Sequence, residues 1–147
     1  MNVIVERDYE TYRRWFERSL DLIWRLPPQL RLKADPMAEV AKAEKISKSK
    51  AVRSLYAGIK DTVAMTDRYS AIDVQTLDAN FKSESLPSLT SVRAMVVSKL
   101  DKIIKRGVIL SEDEFYGLKS LEDCDISDET KAEVQRLLGA YEVKRLG

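Results

Sequence analysis

The sequence predicts an all-α fold: a single domain, 1–147, built as a bundle of five to six helices. Three observations lead there. Glycine and proline are scarce, five and four residues of 147, so long stretches run without a breaker. Apolar residues recur at helical spacing, while the alternation of a half-buried strand is nearly absent. Helix caps and stops fall at the ends of those periodic runs.

The first helix is predicted from Asp8 to Leu26, on Tyr9, Tyr12, Phe16, Leu20 and Ile23. Trp15 and Trp24 lie on opposite sides of that stripe. With Leu22 and Leu26 they widen the apolar arc to roughly 200°, about twice what a surface helix needs. Such a helix is either central in the bundle or keeps an apolar flank for a partner. Pro27-Pro28 ends it, and "LPPQLRLKAD" reads as an extended connection.

Asp35-Pro36 is a helix start, with Asp as N-cap and Pro at the first helical position. Helical pattern follows to Arg68, with Val52, Leu55, Tyr56, Ile59 and Val63 on one face. A single straight helix over that span sets Lys48 inside the buried stripe, beside Met37, Ala41 and Val52. An unpaired lysine there is strongly disfavoured. The serines of "KISKSK" also compete for backbone bonds outside helices. Ile46–Lys50 is therefore read either as a break or hinge that presents Lys48, Lys50 and Arg53 to an acidic partner, or as a merely solvated segment with the bundle ending before Ile46.

Ser70 starts the next helix, with Asp73 at the capping-box position and Val74, Leu77 and Phe81 as its stripe. "SESLPS" is a loop. A helix from Leu89 to Arg106 buries Leu89, Val92, Val96, Leu100 and Ile103, and Gly107 is its left-handed terminator. Ser111 caps the following helix, Glu114 completes its capping box, and Leu110 is expected to staple onto Phe115. Ile126-Ser127 begins the last helix, with Val134, Leu137, Leu138 and Tyr141 inward. The short connections predict an antiparallel series of helical hairpins for the C-terminal half.

The charge flip from Lys102, Lys105 and Arg106 to Glu112, Asp113 and Glu114 follows from this layout. A basic last turn meets an acidic first turn, as helix dipoles favour. The flip reads as punctuation between two helices.

Composition narrows the chemistry. The chain is 44% apolar and 33% charged, with a net charge of +1, which suits a folded domain. "MNVIVERDYE" is no signal peptide, and no uncharged run approaches the ~18 residues of a membrane span. With one cysteine, a reducing cytoplasm is the expected compartment. There is no histidine, which removes the commonest general base and every His-dependent zinc site. Neither a dinucleotide loop nor a P-loop occurs. No cofactor or metal is expected. "DCDISDETKAEV" fails as a calcium loop, because Asp128 stands where glycine is needed and Val134 where a bidentate Glu is needed.

Three weak catalytic patterns remain. Ser47 and Lys50 form an S-x-x-K without the companion motifs of serine acylases. Cys124 sits among Glu122, Asp123 and Asp125, which disfavour a thiolate. Asp73 with Asp78 is the ordinary spacing of a solvated helix face. The chain reads as non-enzymatic.

A protein-binding module is the expected function: a small regulator, adaptor or inhibitor whose partner carries an acidic surface. Lys48, Lys50 and Arg53 are its candidate contacts, with Trp15 and Trp24 as candidate anchors, since Trp is enriched at hot spots. The alternative is a nucleic-acid-binding regulator using 42–53. In a continuous helix Lys42, Lys45 and Arg53 share an ~80° sector suited to phosphates. No aromatic residue interleaves that run, so base stacking is unsupported.

Overall fold

The computed structural model describes residues 2–97, 100–119, 121–122 and 127–146. Among the described residues there are helices and no strand, so the fold is all-α. In order these are α1 (Val3–Arg7), α2 (Tyr9–Ser19), a π-helical turn (Leu20–Trp24), α3 (Pro28–Lys33), α4 (Pro36–Ile46) and α5 (Lys48–Met65). Then come α6 (Ala71–Ser83), α7 (Leu89–Val97), α8 (Leu100–Arg106), α9 (Glu112–Lys119) and α10 (Asp128–Leu146). No helix of the described residues is long and apolar enough to cross a membrane.

The helix expected over Asp8–Leu26 is subdivided and extended. Asn2 opens α1 by accepting from the Val5 N–H at 3.0 Å. After α2 the chain widens into the π-helical turn and stops at Arg25, which is left-handed at φ 53°. "LPPQLRLKAD" is not extended throughout. Pro27 is extended, and Pro28 takes the first position of α3, where its missing N–H costs nothing.

The wide apolar arc is resolved by a central position. Tyr12, Trp15, Phe16, Leu20 and Ile23 are all buried. They share one core with Val52, Leu55 and Ile59 of α5, Leu89, Val92 and Met95 of α7, and Val134, Leu137 and Leu138 of α10.

The predicted break is present. Ser47 is extended, at φ −165° and ψ 159°, and its hydroxyl accepts from the Lys50 N–H at 3.1 Å. Ser47 thus stops α4 and caps α5 in one residue. Ser70 and Asp73 form the complete capping box that opens α6. Gly107 is left-handed at φ 79°.

The capping expected around Ser111 is altered. Ser111 does accept from the Glu114 N–H, but the Glu114 carboxylate bonds the Leu110 N–H at 2.8 Å. Arg106 reaches the same carboxylate across the turn. Leu110, expected to staple onto Phe115, is 63% exposed, and the neighbouring Ile109 is the residue buried in the core. One residue of rotation between α8 and α9 decides which of two adjacent apolar side chains turns inward. The Arg106–Glu114 pair, with Arg145–Glu112 at 3.4 Å, gives the charge flip its structural role. The calcium-loop and Cys124 readings rest on 123–126, which lie outside the described residues, as does Ile126.

Candidate functional site

The five residues singled out for binding separate into three groups. Trp15 leaves the candidate surface altogether. It is fully buried and stacks on Phe81, with ring centroids 5.0 Å apart. Trp24 is half-buried, packs edge-on to Phe16, and donates its indole N–H to Thr62 Oγ1 at 2.9 Å. Its polar handle is therefore used inside the fold, so neither Trp is offered as an anchor in this conformation.

Lys48, Lys50 and Arg53 are exposed, but they do not share a face. On α5, Lys50 lies about 60° from Arg53 and Lys48 about 140° away on the other side. Lys48 escapes burial because it occupies the first position of α5, at the corner with α4. The same corner removes the premise of a continuous phosphate-binding face. Lys42 and Lys45 belong to α4, and Lys42 pairs with Glu39 of that helix at 3.6 Å.

Arg53 instead joins residues that the sequence reading did not group with it. A groove of about 400 Å³ is lined by Arg53, Tyr56 and Lys60 of α5, Lys102 and Asp101 of α8, Val96 of α7 and Asn2. Lys60 is two turns beyond Arg53 and within about 20° of it, so both cations line one wall. Lys102 faces them from α8. α1 touches both α5 and α8 and sets their separation. It is pinned by the Val3 N–H, which donates to the Asp101 carboxylate. That bond satisfies one of the orphan donors of a helix start.

The electrostatics of the groove are lopsided. Asp101 is already engaged by the Val3 N–H and by Lys105 Nζ at 3.1 Å. Arg53, Lys60 and Lys102 have no carboxylate partner among the described residues. The Lys60 ammonium rests over the Tyr56 ring, 5.0 Å from its centroid, a cation–π contact. Burial pushes the Tyr56 phenol above its ordinary pKa, opposed by a hydrogen bond from Asn2. The phenol therefore stays neutral, and its ring supplies an apolar floor beside three cations. Such a site attracts anions and offers some apolar contact.

The other polar residues considered for chemistry have structural work. Ser47 is the cap of α5 and Asp73 part of the capping box of α6. Asp78 accepts from the Thr90 N–H at 3.0 Å, at the start of α7. No group of three or more metal-ligating side chains occurs among the described residues.

The heptad spacing of Arg53 and Lys60 was available in the sequence. Lys102 and Asn2 were not linked to them by any local signal, because only the packing of α1 between α5 and α8 brings them together. No family model, no curated protein and no solved structure matches this chain.

Proposed function

We propose that the chain is a non-enzymatic protein-binding module, a single all-helical domain whose exposed α5 face docks an acidic partner. Its C-terminal half, read as an antiparallel hairpin series, serves as scaffold. The carrying observation is the set of cations on the α5–α8 groove, Arg53, Lys60 and Lys102, which have no carboxylate partner among the described residues, extended by Lys50 one turn away. Complementary charge steers encounter and fixes register more than it supplies affinity, which suits a regulator or inhibitor that must find one partner.

The nucleic-acid reading has less support. The basic segment 42–53 is broken at Ser47, and Tyr56 is the single aromatic ring lining the groove, too few for successive bases to stack. The net charge of +1 also gives little long-range attraction for a polyanion.

The test is affinity capture from the native host, comparing the wild-type chain with Lys50→Glu/Arg53→Glu/Lys60→Glu. The module reading expects a co-purifying protein that resists nuclease and is lost from the variant. Capture that is unchanged in the variant, or abolished by nuclease, contradicts it.

A further inference from the structure

We propose that the α5–α8 groove is the specificity pocket of this surface, and that it takes a short partner segment in which an Asp or Glu stands beside an apolar side chain. The inference rests on the protein-binding reading above and adds the chemistry of what is bound.

Two properties of the groove define the occupant. Arg53, Lys60 and Lys102 converge on it from two helices, so a carboxylate entering between them meets cations on both walls. Solvent-exposed ion pairs contribute little by themselves, because hydration and salt screen them. A carboxylate alone is therefore held weakly. Tyr56 and Val96, both half-buried, add an apolar floor that an adjacent aliphatic or aromatic side chain covers.

The position of Lys60 couples the two contacts. At rest its ammonium lies over the Tyr56 ring. Pairing with an incoming carboxylate draws it off the ring and opens the apolar floor. Ion pairing and apolar contact then form together, which selects a segment carrying both groups over a simple anion.

Asp101 argues in the same direction. Its carboxylate lines the groove, so a doubly charged phosphate meets more repulsion there than a single carboxylate does. A groove of about 400 Å³ also accommodates a side chain or two and not a duplex.

The test pans a random peptide library against the full chain. Enriched peptides are expected to carry Asp or Glu next to Leu, Ile, Val, Phe or Met. A synthetic enriched peptide is expected to bind wild type at least about tenfold more tightly than it binds Arg53→Glu/Lys60→Glu. Lys102→Glu, from the opposite wall, should weaken it similarly, and Lys48→Glu, on another face of α5, should not. Replacing the apolar residue of the peptide by Ser should also weaken binding by about tenfold.

Enrichment without acidic residues overturns the proposal, as does binding indifferent to Arg53→Glu/Lys60→Glu. Equal competition by inorganic phosphate or by duplex DNA overturns it too, in favour of a general anion site. If these fail while host-protein capture still depends on Lys50, Arg53 and Lys60, the module reading stands and only the segment chemistry falls.

Discussion

Gly58 lies directly against the ring of Phe16: a Cβ built on Gly58 stands 2.6 Å from Phe16 Cζ. This contact lets α2 approach α5 at the centre of the core. Phe16 has little room to withdraw, being 2% exposed and edge-on to Trp24. Alanine at 58 gains roughly 1 kcal/mol of helix propensity but overpacks the contact, typically by about 1–3 kcal/mol. Because the ring is confined, overpacking should win. Gly58→Ala is expected to lower stability by about 1–2 kcal/mol in urea unfolding. Gly139, in α10, has nothing within 4 Å of its built Cβ, so Gly139→Ala should stabilise by about 0.5–1 kcal/mol. A stabilised Gly58→Ala would contradict the close approach.

The same crossing carries a hydrogen-bond relay. Trp24 Nε1 donates to Thr62 Oγ1, which in turn donates to the Gly58 carbonyl at 2.8 Å. Thr62 is fully buried, so water is poorly placed to replace its hydroxyl. Thr62→Val keeps the shape and strands the indole N–H. It should cost about 1–3 kcal/mol, whereas Thr62→Ser, which keeps the hydroxyl, should cost less. Equal losses in the two variants would show that packing, not the relay, holds Trp24.

Much of the helical layout was legible because it is written in short-range chemistry. Ser47, Ser70 and Gly107 act within a few residues of themselves, so their caps and stops could be read directly. Lys48 exposed the break because a straight helix would have set it inside an apolar stripe. What escaped depends on contacts between distant parts of the chain. The reason for Gly58 within α5 is the ring of Phe16, some forty residues away in sequence. The groove needs Arg53, Lys102 and Asn2 together, and no local spacing relates them. Both Trp residues fitted a surface role until Phe81 and Thr62 were seen to occupy them.

The turn between α8 and α9 offers a test of which apolar residue anchors it. Ile109 is 3% exposed and Leu110 is 63% exposed. Ile109→Ala should therefore destabilise by about 2–4 kcal/mol, through lost burial and the cavity left behind. Leu110→Ala should stay within about 0.5 kcal/mol of wild type. Ser111→Ala should fall between them, at about 1 kcal/mol, through loss of the cap. Thermal melts of the three variants decide the order, and a large loss in Leu110→Ala would restore the staple.

Glu44 gives the fold a defined pH response. Its carboxylate accepts from Arg13 Nε at 3.0 Å and Arg13 Nη2 at 3.2 Å, and from the Tyr9 hydroxyl at 2.9 Å, tying α4 to α2. The Arg13 hydrogen bonds hold Glu44 below the usual carboxylate range, with partial burial opposing them. Burial first, and then the bond to Glu44, push the Tyr9 phenol well above its ordinary value. A folded-state pKa below the unfolded one means that the unfolded chain binds more protons in the acid range. The Glu44 contribution is therefore complete above the unfolded value of about 4.3 and disappears as pH falls through the lower folded value. Tyr9 works in the opposite sense: its contribution is complete below about pH 10 and is lost as pH rises through the raised folded value. The pair is partly solvated, so Glu44→Gln should cost only about 0.5–1 kcal/mol at neutral pH. That difference from wild type should close on acidification, and Tyr9→Phe should flatten the alkaline limb. Urea titrations across pH for the three proteins measure both limbs. A gap between wild type and Glu44→Gln that persists undiminished at strongly acid pH would show that the link does not depend on the Glu44 charge.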